Sequence, residues 1–322
     1  MYCFYSGDLG KKERRGSLKQ SDLPQSLLNT YRFDGEIGRG GMAIVFRALH
    51  KELNRAAAIK IFSCSLDDQV AIRRFENEAK VYAALKHPNI LRLYDFDGTT
   101  HPPYMVLELA LGTTLRSLMA RRALPVGSTV LRLMATLCDG LAYAHERGVV
   151  HSDIKPENLF VVDELIKIGD FGLATFRGAT QKEPTSDFII GTPSYMAPEQ
   201  FRTEAVTPAT DIYALGVVLY EAIVGSRPFT GRNARELADQ HLRRLPISLD
   251  KRAPFIPPAL RKLIHRCLEK EPELRPYSMN EVGSLLRIAA DSFADNYLTK
   301  ENPSTALTVP VTTKCKDKAA SE

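Results

Sequence analysis

The sequence predicts an α+β fold in which a small β-rich lobe with one main helix precedes a larger α-helical lobe. Two patterns carry this prediction: strand-like segments before residue 110, and apolar residues at three- and four-residue spacing after residue 112. The length of 322 residues fits about two domains or one unit of two lobes. With 44% hydrophobic and 25% charged residues, the composition is that of a soluble globular protein and argues against a disordered or disulfide-stapled chain.

Five strand-like segments are predicted in the first lobe, separated by glycine-rich and polar turns. They cover residues 31–37, 43–49, 56–62, 91–96 and 104–109. One helical pattern interrupts them over 67–85, where Phe75, Ala79 and Tyr82 recur at three- and four-residue intervals and His87-Pro88 follows as a breaker.

The second lobe is predicted from longer helical patterns. The first, over 128–146, carries an apolar stripe that includes Leu133, Leu137 and Leu141. Further helical patterns cover 211–224, 258–268 and 278–290.

Both ends of the chain are predicted to be tails. Residues 1–30 are polar and hold the basic run Lys11-Lys12-Glu13-Arg14-Arg15, which is more typical of a solvated surface than of a lipid or partner site. Residues 291–322 are rich in Thr, Ser, Lys and Pro and lack apolar periodicity. The predicted domain therefore covers 31–290, with its lobes at 31–110 and 111–290.

Charge and cysteine content exclude several classes of protein. Lys and Arg number 43 against 38 Asp and Glu, and this net charge of +5 is too small to indicate nucleic-acid binding. The five cysteines are scattered without a CxxC pair, so neither a disulfide framework nor a zinc site is expected, and a reducing cytoplasm fits best. No apolar stretch approaches the roughly 18 to 20 residues of a membrane helix, and no signal peptide is evident.

A glycine-rich segment, Gly38-Arg39-Gly40-Gly41-Met42-Ala43-Ile44-Val45, lies between the first two predicted strands. Glycines let backbone N–H groups approach phosphate oxygens without a Cβ in the way. A plain glycine-rich hairpin turn explains this segment equally well when it is taken alone. A Walker loop is excluded because no Gly-Lys-Ser/Thr follows, and a Rossmann loop because a strand pattern follows where a helix is needed.

A lysine, Lys60, follows three apolar residues in the third predicted strand. A buried ammonium needs a partner, and Glu78 on the apolar-flanked face of the predicted helix can supply one. Such a pair would hold the amine toward a polyphosphate. The alternative is a lysine at the strand edge that points into solvent.

The most specific motif is His151-Ser152-Asp153-Ile154-Lys155-Pro156-Glu157-Asn158, followed twelve residues after Asn158 by Asp170-Phe171-Gly172. These residues offer an acceptor for a hydroxyl proton, a cation for a phosphoryl group and two hard oxygen ligands of the kind that Mg²⁺ prefers. The ordered set therefore predicts phosphoryl transfer.

Together these motifs resemble the eukaryotic-like, or Hanks-type, serine/threonine protein kinases. The segments at 38–43 and 191–200 are most similar to those of the bacterial members. The resemblance covers about residues 31–290, and the family's markers occur in order: the glycine loop, Lys60, Glu78, Asp153, Lys155, Asn158, Asp170, Glu199, Asp211 and Arg275. It implies a bilobal protein-kinase fold with ATP bound between the lobes, and two bound cofactors, ATP and Mg²⁺.

The resemblance also implies a role for each matching residue. Lys60 would bind the α- and β-phosphates and pair with Glu78. Asp153 would orient the substrate hydroxyl and accept its proton, while Lys155 would neutralise the transferring phosphoryl group. The implied magnesium ligands are Asn158 and Asp170. The implied nucleotide-binding residues are Ile37, Gly38, Gly40, Gly41, Val45, Ala58, Lys60, Glu108, Ala110 and Phe160, with Leu107 as gatekeeper, and Glu199, Asp211 and Arg275 would be structural supports of the large lobe.

Two positions depart from the commonest pattern. Ala43 replaces the third glycine of the loop, a change that leaves a small residue over the phosphates. Ser152 replaces the arginine that usually pairs with a phosphorylated residue of the activation segment, and serine cannot form that pair. Activation is therefore expected either to need no such phosphate or to use other cations. The candidate cations are Arg73, Arg74 and Arg177, and the candidate acceptors are Thr180, Thr185 and Ser186, with Thr192 set apart as a contact of the catalytic residues.

The predicted function is an ATP-dependent protein Ser/Thr kinase that acts in signalling and autophosphorylates. A pseudokinase scaffold is a second hypothesis, weakened because Lys60, Asp153 and Asp170 are all present. A small-molecule phosphotransferase is a third, weakened by the Ala-Pro-Glu segment at 197–199. The expected partners are ATP and Ser/Thr-containing proteins, with a kinase-domain dimer as a further candidate and no nucleic acid or membrane span. The substrates and the activating signal cannot be inferred from the sequence.

Overall fold

The computed structural model describes residues 23–125, 127–176 and 192–298. The strands of the first lobe are β1 (Tyr31–Arg39), β2 (Ala43–His50), β3 (Arg55–Phe62), β4 (Leu93–Asp97) and β5 (Tyr104–Glu108). They form one antiparallel sheet in the order β1-β2-β3-β5-β4. With the helical lobe that follows, this sheet confirms the predicted bilobal α+β architecture.

Strand β4 begins at Leu93, two residues later than the sequence predicts. The backbone N–H of Leu91 instead donates to the carbonyl of Ile168, which lies in the second lobe, at 2.9 Å. A parallel bridge between Ile90 and Ile168 lies at the same place. The segment therefore links the two lobes before it joins the first sheet.

The one main helix of the first lobe is α2 (Gln69–Ala84). Asp68 caps it by accepting the Ala71 N–H at 3.0 Å, which explains why the helix begins two residues after the predicted start. Its buried face packs against the sheet and carries one charged side chain, Glu78, which is 1% exposed. A buried carboxylate on an apolar helix face requires a partner from the sheet.

A short helix, α1 (Gln25–Thr30), lies inside the segment that the sequence analysis assigns to a tail. Leu23 and Leu27 are buried against an apolar cluster on the sheet that includes Tyr31, Ile59 and Val106. The folded region therefore begins before residue 31, because this sheet face would otherwise expose its apolar side chains. The basic run at 11–15 lies outside the described residues.

The second lobe is built from helices that surround a buried apolar core. They are α3 (Leu115–Ala120), α4 (Ser128–Glu146), α5 (Pro198–Phe201), α6 (Pro208–Val224), α7 (Ala234–Arg243), α8 (Leu249–Arg252), α9 (Pro258–Cys267) and α10 (Met279–Leu298). The four long predicted helices correspond to α4, α6, α9 and α10. Helix α10 continues beyond residue 290 into the segment predicted as a tail, and residues 299–322 lie outside the described part of the chain.

Short strands of the second lobe frame the predicted catalytic loop. They are β6 (Thr113–Thr114), β7 (Val149–Val150), β8 (Leu159–Val162), β9 (Leu165–Ile168) and β10 (Thr175–Phe176). One small sheet has the order β6-β8-β9, and β7 pairs with β10. Residues 151–158 therefore lie between two anchored strands, and Asp170 follows β9 by two residues.

The structure also describes three of the cysteines and shows whether a helix could cross a membrane. Cys138 and Cys267 are buried free thiols, Cys64 is half-buried, and Cys3 and Cys315 fall outside the described ranges. Within those ranges no helix has both the length and the apolar character needed to cross a membrane.

Candidate active site

The glycine loop is the turn that joins β1 to β2. Gly38 pairs with Val45 across the two strands, and the Gly40 N–H closes the turn on the Ala43 carbonyl at 2.8 Å. Gly40 and Gly41 are exposed, whereas Gly38 is buried and Ile37 half-buried. Ala43 is 3% exposed, so its methyl group belongs to the core at the base of the loop and not to the exposed tip.

Lys60 on β3 does not point into solvent. Its Nζ donates to both carboxylate oxygens of Glu78, at 2.6 and 2.7 Å, and to Oδ1 of Asp170 at 3.1 Å. The Glu78 side chain is fully buried and that of Lys60 is 13% exposed. The lysine thus joins the sheet, helix α2 and the start of the segment that follows β9.

Electrostatic interactions among Lys60, Glu78 and Asp170 keep the lysine charged. Burial alone would lower the pKa of Lys60, but the carboxylates of Asp170 and Glu78 raise it above the ordinary value. Lys60 in turn lowers the pKa of Asp170 below the ordinary aspartate value, against the effect of burial. The site therefore offers a fixed ammonium and a fixed carboxylate at neutral pH.

The catalytic loop holds Asp153, Lys155 and Asn158 together. Lys155 Nζ donates to Asp153 Oδ2 at 2.5 Å and to Thr192 Oγ1 at 3.0 Å. The Asn158 side-chain amide donates to the Asp153 carbonyl at 2.9 Å. Burial raises the pKa of the Asp153 carboxyl, an effect that the Lys155 ammonium opposes. Thr192, which the sequence analysis sets apart from the phosphate acceptors, lies in contact with this loop.

Asp211, at the N-terminal end of α6, anchors the backbone of the same loop. It is fully buried and accepts the N–H groups of His151 and Ser152 at 2.9 and 2.8 Å. His145 also contacts it at 2.7 Å. Ser152 has a positive φ of 67°, a conformation uncommon for non-glycine residues, and these bonds hold it there.

Two oxygens near this loop could hold a divalent metal. The amide nitrogen of Asn158 is used by Asp153, which leaves its amide oxygen as an acceptor. Lys60 engages Oδ1 of Asp170, and 37% of that side chain remains exposed. In the described ranges no group of three or more His, Cys, Asp or Glu side chains is arranged to hold a metal. The two oxygens, one from an amide and one from a carboxylate, are ligands that fit a hard cation whose other ligands are phosphate oxygens and water.

The residues predicted to contact a nucleotide base lie at the junction of the lobes. Ala58 on β3 pairs with Leu107 on β5, so both belong to neighbouring central strands. Val45 pairs with Lys60 and is half-buried, as is Phe160 on β8. Glu108 is the last residue of β5, and Ala110 lies two positions later, where the chain passes from the sheet toward β6.

Ser152 stands where the commonest pattern of the resembled family has an arginine. Its Oγ is buried and has no hydrogen-bond partner within the described part of the chain. Arg73 is exposed and Arg74 half-buried on α2. Arg177, Thr180, Thr185 and Ser186 lie outside the described residues, so the hypothesis about activation stays a prediction.

Three residues near the site are missed by the sequence analysis. The Tyr82 hydroxyl accepts the Asp170 N–H at 2.7 Å, and the Gln200 side chain donates to the Ser152 carbonyl at 2.8 Å. Arg116 on α3 contacts Glu157, which lies between Lys155 and Asn158 in the catalytic loop, at 2.7 Å. Tyr82 lies on a predicted helix and Gln200 ends the motif segment 191–200, whereas nothing in the sequence around Arg116 signals its partners.

Comparisons with known proteins find related sequences over most of this chain. The family model described as the protein kinase domain matches residues 31–284. The serine/threonine-protein kinase pkn3 of Myxococcus xanthus is 35% identical over 263 residues, which cover 77% of this chain and 48% of the relative. The serine/threonine-protein kinase PknB of Mycolicibacterium smegmatis is 33% identical over 273 residues, covering 82% and 44%.

A probable serine/threonine-protein kinase of Clostridium acetobutylicum is 33% identical over 258 residues, which cover 80% of this chain and 39% of the relative. The chain thus spans less than half the length of each of these three relatives.

Proposed function

The chain belongs to the protein kinase family, and from this premise we propose that it transfers the γ-phosphoryl group of ATP, with Mg²⁺, to Ser and Thr hydroxyls of proteins. One observation carries the proposal. Lys60 of the sheet contacts Asp170 of the second lobe at 3.1 Å, although the two are 110 positions apart in the chain. A cation for phosphates and a carboxylate for a metal therefore meet where the lobes join.

The sheet supplies the nucleotide-binding side of the proposed site. Glu78 holds the Lys60 ammonium in place, so that the lysine can meet the α- and β-phosphates without a conformational search. The exposed glycines at 40 and 41 let backbone N–H groups approach the same phosphates. Ala58, Val45 and Phe160 offer apolar surface for the flat adenine ring.

The catalytic loop supplies the acceptor side. Asp153 accepts the proton of the substrate hydroxyl and orients it, and Lys155 neutralises charge that develops on the transferring phosphoryl group. Thr192 holds Lys155 from the other side. Asn158 and Asp170 would hold Mg²⁺, which when bound neutralises phosphate charge and orients the nucleotide.

Label transfer tests this proposal. The purified chain is incubated with γ-labelled ATP, Mg²⁺ and a general protein substrate, and the labelled amino acids are identified after hydrolysis. We expect label on phosphoserine and phosphothreonine, and its loss when EDTA removes the metal. Nucleotide binding without transfer would favour a scaffold, and label on a small alcohol instead of protein would favour a small-molecule phosphotransferase.

A pH prediction follows from the pKa of Asp153. Because burial raises it, and the base must be unprotonated to act, kcat/KM is expected to fall with decreasing pH before the ordinary aspartate range is reached. Lys155→Met removes the cation that lowers this pKa, so the acid limb should move to higher pH.

The measurement is kcat/KM against pH for the wild type, Lys155→Met and the control Lys80→Met, which changes an exposed lysine of α2. The titration of ATP itself is common to all three. An acid limb that stays in place or moves to lower pH in Lys155→Met would exclude Asp153 as the titrating group.

The predicted cytoplasmic location, the domain boundaries, a kinase-domain dimer and the mode of activation stay predictions.

A further inference from the structure

A basic segment lies at residues 243–262, from the last residue of helix α7 into helix α9. It contains six Lys and Arg and one Asp, which give it a net charge of +5. The whole chain of 322 residues also has a net charge of +5, so the remaining residues are balanced. The positive excess of the sequence is therefore equal to the excess of this one part of the second lobe.

Most cations of the basic segment face solvent without a carboxylate partner. Its one acid, Asp250, is held by Arg261 at 2.8 Å. Arg243 pairs with Asp239 of helix α7 at 3.4 Å. The other four cations are exposed and form no ion pair within the described part of the chain: Arg244, Lys251, Arg252 and Lys262. These four can meet an external anion without breaking an internal ion pair.

Three large apolar side chains of the same segment are also exposed. Leu245 is 79% exposed, Ile247 is 48% exposed and Phe255 is 68% exposed. Single exposed apolar residues are ordinary on protein surfaces. Three within eleven positions, among unpaired cations, form a surface that is both apolar and basic and that indicates an interaction site.

The packing of the segment keeps these apolar side chains outward. Leu249, Ala253 and Ile256 alternate with them along the chain and are buried in the core of the second lobe. The Tyr220 hydroxyl donates to the Ile247 carbonyl at 3.0 Å, and the Ala253 N–H donates to the Leu249 carbonyl at 2.8 Å. The buried positions are thus already filled, so the exposed apolar residues have no place in this core.

The way these side chains project favours a lipid surface over a folded protein as the partner. A protein would need a separate pocket for each projecting side chain, whereas fluid acyl chains accept apolar groups of any shape. Lysine and arginine next to the apolar groups meet lipid phosphates without a fixed geometry, because anionic headgroups are spread over the whole membrane surface. The combination is that of a peripheral membrane contact.

We propose that the basic segment at 243–262 docks this chain on an anionic membrane surface. Leu245, Ile247 and Phe255 enter the boundary between headgroups and acyl chains, while the exposed lysines and arginines contact lipid phosphates. This contact needs no spanning helix and does not depend on phosphoryl transfer. It goes beyond the proposed function, because it assigns the second lobe a lipid-binding surface.

Vesicle sedimentation tests the proposal with the full chain. One set of vesicles contains equal parts of phosphatidylcholine and phosphatidylglycerol, and the other contains phosphatidylcholine alone. At low salt we expect at least about tenfold stronger partitioning onto the anionic vesicles. This binding should be lost near about 1 M salt, where the screening length falls to about 3 Å. Equal binding to both vesicles, or none to either, would contradict the proposal.

Paired charge variants locate the contact on the chain. Lys251→Gln/Lys262→Gln is expected to lower the partition coefficient for anionic vesicles on the order of tenfold, because two cations leave the surface. Lys80→Gln/Lys86→Gln makes the same change at two exposed lysines of the first lobe and should leave the coefficient unchanged.

Apolar variants test insertion. Leu245→Ser is expected to lower the partition coefficient at least about threefold. Its matched control is Leu53→Ser, at an exposed leucine between β2 and β3, which should have no effect. The chain has no tryptophan, so Phe255→Trp adds a single fluorescent reporter. Its emission should shift to shorter wavelength with anionic vesicles, and that of Leu53→Trp should not.

The opposite results are equally clear. Undiminished binding by both Lys251→Gln/Lys262→Gln and Leu245→Ser would overturn the proposal, because the lipid contact would lie elsewhere, as at the basic run 11–15. An unshifted Phe255→Trp emission would exclude insertion even if another variant fails to fold, as judged by thermal unfolding. Binding to polyglutamate in solution but not to vesicles would assign the surface to an acidic protein and overturn the membrane contact.

The outcome is separable from that of the proposed function. Label transfer from ATP to protein is measured without vesicles for the same variants, and it should match the wild type, because none of the substituted residues lies in the candidate active site. A chain that transfers label but does not bind anionic vesicles would overturn the membrane contact alone. A chain that binds vesicles through this segment but transfers no label would overturn the proposed function alone.

Discussion

Asp153→Asn is expected to lower kcat by about 100- to 10,000-fold while the binding of MgATP stays close to that of the wild type. Asparagine is isosteric with aspartate, so its side-chain oxygen can still accept a hydrogen bond from Lys155, which contacts Asp153 Oδ2 at 2.5 Å. The bond from Asn158 goes to the backbone carbonyl of residue 153, at 2.9 Å, which the substitution leaves unchanged. Asparagine cannot accept the proton of a hydroxyl. The loss should therefore appear in kcat and not in the affinity for nucleotide.

The matched control is Asp163→Asn, which makes the same change at an exposed turn between β8 and β9. Steady-state kinetics and the MgATP-induced rise in melting temperature are measured for all three proteins. We expect the control to match the wild type in both. An Asp153→Asn variant with undiminished kcat would mean that another group serves as the base, and one that loses nucleotide binding would point to a structural defect.

Arg275→Ala is expected to lower the free energy of unfolding by about 3–5 kcal/mol. The Arg275 side chain is fully buried and forms a fork with Glu199, with Nη1 and Nη2 at 2.8 and 2.9 Å from the two carboxylate oxygens. It also donates to three backbone carbonyls. Its removal leaves the buried Glu199 carboxylate without a cation and those carbonyls without their donors.

Arg287→Ala is the control, because Arg287 pairs with Asp139 on the surface, where Nη2 alone donates to both carboxylate oxygens, at 2.8 and 2.6 Å. Its side chain is 44% exposed and that of Asp139 is 40% exposed. An exposed pair contributes at most about 1 kcal/mol. Chemical denaturation of both variants measures the difference. Equal losses for the two arginines would contradict the assignment of Arg275 and Glu199 as a buried support of the second lobe.

The parts of the site that the sequence predicts are those whose chemistry is local. Asp153, Lys155 and Asn158 lie within six positions, so one loop brings them together. The contact between Lys60 and Glu78 could be predicted from the sequence because a buried lysine in a strand requires a carboxylate. The next helix carries one on its buried face. The long helices were predictable because each buries a continuous apolar stripe.

The parts that the sequence does not predict depend on distant contacts. Helices α3, α5 and α8 have six residues or fewer and gave no separate signal in the apolar pattern, and the buried residues of α7 are the polar Gln240 and His241. The hydrogen bond from Arg116 to Glu221 joins residues 105 positions apart, and in the sequence a charged residue of a short helix cannot be told from a solvated one. Helix α1 was assigned to a tail because Leu27, its one buried residue, and Leu23 just before it are too few to form a periodic pattern.

One assay tests the central claim most directly: transfer of label from γ-labelled ATP to protein serine and threonine by the wild type, Lys60→Met and Lys80→Met side by side. Lys60 is the cation that joins the sheet to Asp170, whereas Lys80 is exposed on the neighbouring helix. We predict labelled phosphoserine and phosphothreonine with the wild type and Lys80→Met, and at most a trace with Lys60→Met. Equal labelling by Lys60→Met and the wild type would contradict the account, because phosphoryl transfer would then not depend on the site between the lobes.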